Sequence, residues 1–407
     1  MASLVVSLNS TPVGLLSELP DGRISFRFND LYMGMDNRPV LGQKFEDDLQ
    51  RTYIGKKPGQ LPAFFGNLLP EGRVRTVIET SLNREGCSDI ELLEMASNDL
   101  PGAVVLTRSD EGAMPAEDNA QRSEDEKNTE DIGLRFSLAG VQLKFSAVED
   151  DERFTIPSHD SVGDWIIKVA VKGYEGLPSN EYFVMNWARL AGFDVPDMRL
   201  VSYDALGALK KYVPENASAF AIRRFDRSDK RRVHQEDFNQ VLGRFPRADR
   251  REKYDFSYDE LAVLVKAIAG LNGAREFLKR LLFVIASGNH DAHLKNWSLL
   301  YPDGIHPVLS PLYDQVATVG WADMDRTWAL KLGGSREFGR ADRATFIKLA
   351  SKVDLEKRAA EDLLLETLTA IREAWAQTDK SIILDSHRHA IIEHWTRVPI
   401  LREAGSL

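Results

Sequence analysis

The segment Ser287-Gly-Asn-His-Asp-Ala-His-Leu-Lys-Asn296 concentrates groups that could do chemistry. Asp291 and Asn296 bracket an Asp-x-x-x-x-Asn spacing with Lys295 inside it, and a further acid, Asp314, follows. An apolar helical run, Phe277 to Ala286, leads into this loop. A strand-like Trp297-Ser-Leu-Leu-Tyr, a turn at Pro302-Asp-Gly and a second strand over Ile305 to Leu309 lie between it and Asp314. The order is helix, polar loop, hairpin, acid, and it suits phosphoryl transfer. In that chemistry one carboxylate takes the proton of an attacking hydroxyl, which is the role open to Asp291. Asn296 and Asp314 offer the hard oxygens that magnesium prefers. Lys295 is placed to meet phosphate charge. Taken alone, Asp-x-x-x-x-Asn is common, and an Asp or Asn in a loop is most often a turn residue. The flanking elements supply the specificity. A rival reading is a metal site made of His290, Asp291 and His293. The Gly-Asn context indicates a loop rather than one helix face, and no third histidine follows at zinc-motif spacing.

Phosphoryl transfer from a nucleotide requires an upstream unit that holds it. Lys168 stands inside Trp165-Ile-Ile-Lys-Val-Ala, a charged residue in a β-branched run, where a lysine could meet the α- and β-phosphates. An edge-strand lysine pointing to water is the plainer alternative. Glu181 opens the next helix and is a candidate partner for Lys168, though a helix-start acid is also favoured by the helix dipole. A phosphate-covering loop is expected over Ser137-Leu-Ala-Gly-Val-Gln-Leu-Lys144, which has one glycine. The backbone N–H groups around Gly140, with Lys144, could cradle phosphate. Phe220-Ala-Ile-Arg-Arg-Phe-Asp226-Arg ends the strand-rich half, where a hinge would face the base.

The positioning elements fit a chain of 407 residues, long enough for two or three domains. Hydrophobic residues make up 43% and charged residues 28%, an ordinary globular profile. The formal net charge of -10 excludes a globally basic nucleic-acid binder. Cys87 is the one cysteine, so no intrachain disulfide and no cysteine metal cluster can form. No secretory signal is visible, and the longest apolar runs are far shorter than the roughly 20 residues of a membrane span. The expectation is a cytoplasmic protein without a membrane partner.

Short strands are expected at LVVSLN, ISFRF and VVL, with a helix near Arg73 to Leu82, so residues 1–108 read as a small α/β subdomain. Residues 110–131 carry nine acids and two bases with almost no apolar content, and 109–132 reads as a flexible acidic linker. An acidic docking tail is the alternative. Residues 133–228 read as strand-rich, with strands at FSLAG, VQLKFSAV, RFTIP, WIIKVAV, MRLVSYDALGALKKYV and FAIRRFDR and a helix opened by Ser179-Asn-Glu. Residues 229–407 read as a helical unit, the pattern turning helical after about residue 233, with helices expected at DELAVLVKAIAGL, AREFLKRLLFVIAS, RATFIKLASKV, LEKRAAEDLLLETLTAIREAWAQT and SHRHAIIEHWTRV, and no repeat of solenoid length is found.

The chain resembles the HipA-type serine/threonine kinases, toxins of bacterial toxin–antitoxin pairs. AFFGNLLPEG, SLAGVQLK, WIIKV, NEYFVMNWARLAGFDVP, AIRRFDR, HQEDF, GNHDAHLKN and SPLYD resemble that family's successive blocks, in order, over nearly the whole chain. The resemblance implies an α+β, bilobed protein-kinase-like fold, with a β-rich N-lobe and an all-α C-lobe behind the N-terminal subdomain. It implies Asp291 as catalytic base, Asn296 and Asp314 as magnesium ligands, and Lys168 as the phosphate-binding lysine. The nucleotide loop would be Ala139, Gly140, Val141, Gln142, Leu143 and Lys144. The hinge would be Arg223, Arg224 and Phe225. His293, Leu294, Lys295 and Asn296, with Tyr313, Asp314, Gln315 and Val316, would line the nucleotide. Ser137 resembles the loop serine that such kinases autophosphorylate. Leu143 departs from the loop's usual Glu, and Arg223 stands where some members carry Glu.

The implied function is an ATP- and Mg2+-dependent protein kinase acting on a protein substrate of the translation machinery. Its partner would be a small helix-turn-helix antitoxin, with operator DNA met through that complex. Residues 221–253 carry eleven Lys/Arg against six Asp/Glu, which could serve an anionic partner or simply be a solvated face. Two alternatives stand beside this. One is a catalytically silent kinase-fold binding module or co-repressor. The other is a small-molecule or lipid kinase, and the chain shows no basic amphipathic helix for a membrane.

Overall fold

The computed structural model describes residues 3–69, 88–97, 99–109, 144–150, 153–155, 162–170, 173–174, 176–213, 215, 217–228, 231–246, 256–324 and 326–403. Ser137, Ala139 to Leu143, Cys87, the acidic stretch 110–131 and the helix expected near Arg73 to Leu82 lie outside the described residues.

The N-terminal strands are β1 (Ser3–Leu8), β2 (Thr11–Glu18), β3 (Ile24–Phe28), β4 (Tyr53–Ile54) and β5 (Val104–Arg108), and they form an antiparallel sheet in the order β4-β3-β2-β1-β5. Phe26 and Phe28 alternate with exposed Arg27. They pack on rings from the following turns, with Phe26 and Phe65 centroids 4.8 Å apart. The short helix α1 (Asp89–Met95) closes this core, started by a capping box in which Ser88 and Glu91 bond each other's backbone.

A second sheet runs β7-β6-β8-β10-β9. Its members are β6 (Lys144–Asp150), β7 (Arg153–Thr155), β8 (Trp165–Val169), β9 (Met198–Val201) and β10 (Ala219–Arg223). Period-two alternation divides β8: Trp165, Ile167 and Val169 join Phe145, Val201 and Ala221 in one core. Lys168 points the other way. The register sets Lys144 opposite Lys168 and Lys168 opposite Phe220. Two lysines directly across a strand pair repel, so this row requires an anion beside it. Helix α2 (Leu177–Leu190) covers that face, and Gly192 follows it in the left-handed region.

The sequence expectation of strand through MRLVSYDALGALKKYV holds only for β9. Tyr203–Tyr212 is 3-10 helix interrupted at Gly207, whose φ is 48°. Leu206 and Leu209, three apart, are both fully buried, a spacing that suits a turn of helix and not a strand.

An all-α C-terminal half is also corrected. There, past the two-stranded pair β11 (Arg227–Ser228) and β12 (Arg231–Arg232), β13 (His234–Asp237), β14 (Ser298–Tyr301) and β15 (Val308–Leu309) form a small sheet, and Thr327–Leu332 pairs with Ser335–Glu337. The polar run His-Gln-Glu-Asp has no strand signature of its own. It is extended because it finds β14, more than sixty positions away in the chain. Around this sheet the helices α4 (Tyr258–Ser287), α5 (Arg343–Lys352), α6 (Lys357–Gln377) and α7 (Asp385–Arg397) follow the expected spans, preceded by the short α3 (Phe238–Val241). Helix α4 breaks at Gly270, φ 71°, so the two helices expected there are two segments. The largest apolar core gathers Phe183, Trp187, Phe277, Leu281, Trp375 and Trp395. Among the described residues, no helix is long and apolar enough to cross a membrane.

Candidate active site

Helix α4 ends at Gly288, φ 66°, where a Cβ would stand 2.6 Å from Val319. Only glycine allows this left-handed cap and this approach. The chain then turns through the polar loop. The Asp291 N–H donates to Asn289 Oδ1 at 3.0 Å, and the His293 N–H donates to the Asp291 carbonyl at 2.7 Å. Asn289 Nδ2 donates to Gln315 Oε1 at 3.1 Å, tying this loop to the one that carries Asp314. Asp291 itself projects outward, its side chain 67% exposed, with His293 Nε2 3.9 Å away.

Asp314 is the point of convergence. Its φ of 57° is uncommon for a residue with a side chain. Lys168 Nζ stands 2.5 Å from Asp314 Oδ1, and Lys144 Nζ lies 3.2 Å and 3.3 Å from the two carboxylate oxygens. Asn296 Nδ2 donates to Asp314 Oδ2 at 2.9 Å. Lys168 also pairs with Glu181, which has no solvent exposure. So the anion that the Lys144–Lys168 row requires is present twice. Burial pushes the Asp314 carboxyl up, but Lys144 and Lys168 outweigh it and hold the group far below the ordinary carboxylate range. Burial pulls Lys168 down, and Asp314 with Glu181 more than restores its charge. Lys144, with less compensation, is left below its ordinary value by burial.

These residues border a cleft of about 1040 Å³ including its open mouth. Lys144, Lys168, His293, Lys295, Asn296, Tyr313 and Asp314 line it, as do Arg223, Arg224 and Phe225. Phe225 and Tyr313 form an aromatic pair with centroids 5.4 Å apart. Tyr313 is held by its hydroxyl, which donates to the Lys295 carbonyl at 2.9 Å and lies 2.6 Å from Ser298 Oγ. Leu294, Gln315 and Val316, expected along the nucleotide, do not line the cleft. Leu294 is fully buried in the helical core, and Gln315 is the tie between loops.

A metal fits this corner. Asn296 Oδ1 is buried and has no hydrogen-bond partner among the described residues, and it shares a side of the cleft with the ionised Asp314. Two hard oxygens of this kind suit magnesium. The rival set does not assemble. His290 packs against the Phe338 ring at 4.2 Å, and no group of three His, Cys, Asp or Glu able to hold a metal exists among the described residues.

Several bases of the stretch 221–253 are engaged by the protein itself among the described residues. Arg224 pairs with Asp99 at 2.6 Å and Asp226 at 2.9 Å, and Arg227 pairs with Asp226 at 2.9 Å. Arg231 donates to the Pro302 carbonyl and Arg232 to the Val104 carbonyl. The Arg224 guanidinium is therefore engaged by two buried carboxylates. Arg223 is half-exposed, 3.9 Å from Asp197. Sequence reasoning did not anticipate the Asp99 and Asp226 pairing or the cleft positions Asn67, Asp237 and Gln240. The last two lie in or beside the quoted HQEDF block, which was the available signal.

Comparison with known proteins agrees with this architecture. Residues 4–107 match the HipA N-terminal domain and residues 136–375 the HipA-like C-terminal domain. The protein Y4dM of Sinorhizobium fredii, named as an unproven kinase, is 37% identical over 386 residues, covering 93% of this chain and 92% of its own. The serine/threonine-protein kinase toxin HipA of Shewanella oneidensis is 26% identical over 304 residues, covering 67% of this chain and 66% of its own. A solved Shewanella oneidensis complex of HipA, HipB and operator DNA superposes with TM-score 0.72 at 18% identity, covering 98% of this chain and 96% of that one. With matched domains on both sides of the acidic stretch and a relative aligned almost end to end, the chain belongs to the HipA family.

Proposed function

We propose that this protein is an ATP- and magnesium-dependent serine/threonine protein kinase, the toxin of a toxin–antitoxin pair. The observation that carries the reading is the corner at Asp314. Lys168, Lys144 and Asn296 meet one ionised carboxylate there, and a buried amide oxygen stands unused beside it. In this reading the second sheet and helix α2 are the N-lobe, and the region from α3 onward is the C-lobe. The adenine lies against Phe225 and Tyr313 and bonds the backbone of Arg223 to Phe225. Lys168, held by Glu181, meets the α- and β-phosphates. Lys144 and the loop Ala139 to Leu143 cover the phosphates. Asn296 and Asp314 hold magnesium, which when bound offsets charge on the β- and γ-phosphates. Asp291 is exposed, so the hydroxyl of a docked protein can reach it. It accepts the hydroxyl proton as the new oxygen–γ-phosphorus bond forms and the bond to the β-phosphate oxygen breaks, releasing ADP.

Ser137, in the nucleotide loop, is the proposed autophosphorylation site. A phosphate there adds about -1.5 to -2 charge beside the triphosphate and weakens nucleotide binding. The external substrate is proposed to belong to the translation machinery. A small helix-turn-helix antitoxin is the proposed partner, through which the complex meets operator DNA. The solved complex of HipA with HipB and operator DNA supports that assignment.

The test is purified protein with labelled ATP and magnesium, read by mass spectrometry. Label is expected at Ser137, and Asp291→Asn is expected to lower it by about 10²–10⁴-fold while nucleotide still binds. Equal labelling of wild type and variant would remove Asp291 from its role. Nucleotide binding without any transfer would favour the silent binding module.

A further inference from the structure

The cleft is not bordered by the second sheet and the helical region alone. Asn67, Leu68 and Pro101, from the part of the chain that matches the HipA N-terminal domain, line it too. Neither segment is loosely apposed. Around Pro101, Asp99 pairs with Arg224, the Gly102 N–H donates to Asp226 Oδ2 at 2.7 Å, and Arg227 donates to the Leu100 carbonyl at 2.9 Å. The side chains of Asp99, Arg224 and Asp226 are at most 4% exposed. At Gly102, φ 69°, a Cβ would stand 2.8 Å from the Gln235 backbone nitrogen, so the two backbones touch. Around Leu68, Asn67 Nδ2 donates to the Arg244 carbonyl at 2.8 Å, Asn67 Oδ1 accepts from Asn239 at 3.3 Å, and the Asn67 carbonyl faces Lys295 Nζ at 3.5 Å. One segment is thus fixed beside the hinge and the other beside the catalytic loop.

We propose that the N-terminal sheet unit is a third wall of the nucleotide cleft, in which Leu68 and Pro101 contact the nucleoside end of ATP. The inference rests on the kinase reading above. Its chemistry is selective. A leucine and a proline offer no donor or charge to a triphosphate, but they remove water from the apolar face of a purine or ribose. At the Asp314 corner the cations and the metal-binding oxygens are on Lys144, Lys168, Asn296 and Asp314, and Lys295 adds a further cation to the lining, which leaves the nucleoside as the part these two apolar side chains can hold. Pro101 sits next to the residues that pair with Arg224 to Arg227, the hinge side of the cleft.

The experiment uses the full chain and two probes, Mg-ATP and inorganic tripolyphosphate with magnesium. Dissociation constants are measured by calorimetry for wild type, Leu68→Ala and Pro101→Ala, with melting curves to show that each variant is folded. The expected result is ATP bound about tenfold more weakly by each variant, a change of about 1.4 kcal/mol, with tripolyphosphate within about twofold of wild type. Unchanged ATP affinity in the folded variants, or an equal loss for both probes, overturns the proposal. The two sites lie on separate segments, so if one substitution prevents folding the other decides. If wild type binds neither probe, the kinase reading falls first and the wall with it. If wild type binds ATP and the variants match it, the reading stands and only the wall is lost.

Discussion

Lys168 and Glu181 have almost no contact with water, and each depends on the other to stay there. An isolated buried charge costs several kcal/mol, and a pair recovers this only when geometry and further partners are good. Lys168 has both, because it reaches Glu181 and Asp314 together. Lys168→Met should therefore do more than lose activity. It leaves Glu181, fully buried, without its cation, and destabilisation of about 3–5 kcal/mol is expected in chemical denaturation. The double variant Lys168→Met/Glu181→Leu should regain most of that stability while staying inactive. If the double variant is as unstable as the sum of the single ones, the pair is not coupled as the geometry indicates.

Strand β13 contributes two buried titratable groups to the contact with the N-terminal sheet unit, and they respond to pH in opposite ways. The His234 ring lies 2.9 Å from the Leu41 carbonyl through Nε2, and burial holds its pKa at about 4. Glu236 Oε1 accepts from the Gln43 N–H at 2.9 Å and the Tyr301 hydroxyl at 2.5 Å, and burial pushes the carboxyl up to about 8. Asp237 and Glu46 push it the same way. A histidine with a depressed folded pKa contributes stability above its unfolded value of 6.5, lost as pH falls through about 4. An acid with a raised folded pKa contributes stability below its unfolded value of 4.5, lost as pH rises through about 8. Wild type should therefore lose stability from about pH 4.5 to pH 8 on account of Glu236. Glu236→Gln keeps the two accepted bonds and should flatten that limb of a plot of melting temperature against pH. An unchanged slope in the variant would assign the alkaline loss to another group.

At the scale of the whole molecule, the N-terminal core of Phe26, Phe45 and Phe65 is separate from the core of the helical region. Buried polar contacts help to join them, among them the cluster of Asp99, Arg224, Asp226 and Arg227. Arg224→Met removes the centre of that network and leaves Asp99 with only the longer Arg227 contact at 3.5 Å. Amide exchange in β1 to β5 should then accelerate by at least an order of magnitude, while the second half of α4 keeps its protection. Hydrogen-exchange mass spectrometry reads this directly, and acceleration spread evenly over both regions would show that the two cores open as one.

The sequence by itself determined the local elements and the chemical types. ISFRF alternates, so it is a strand. The helix before Gly288 ends there because glycine can adopt the left-handed cap. Asp291, Asn296, Asp314 and Lys168 could each be singled out from their local blocks, and the order of those blocks identified the family. What only the tertiary structure decided depends on contacts between distant residues. Strand β13 is polar and extended because β14 is its neighbour. Arg224 is turned to Asp99 and Asp226, because the buried carboxylates hold its guanidinium more strongly than solvent does. Tyr203–Tyr212 coils because Leu206 and Leu209 must enter one core. Asp314 became the meeting point of two lysines because the register sets Lys144 across from Lys168, a relation between strands that no single strand encodes.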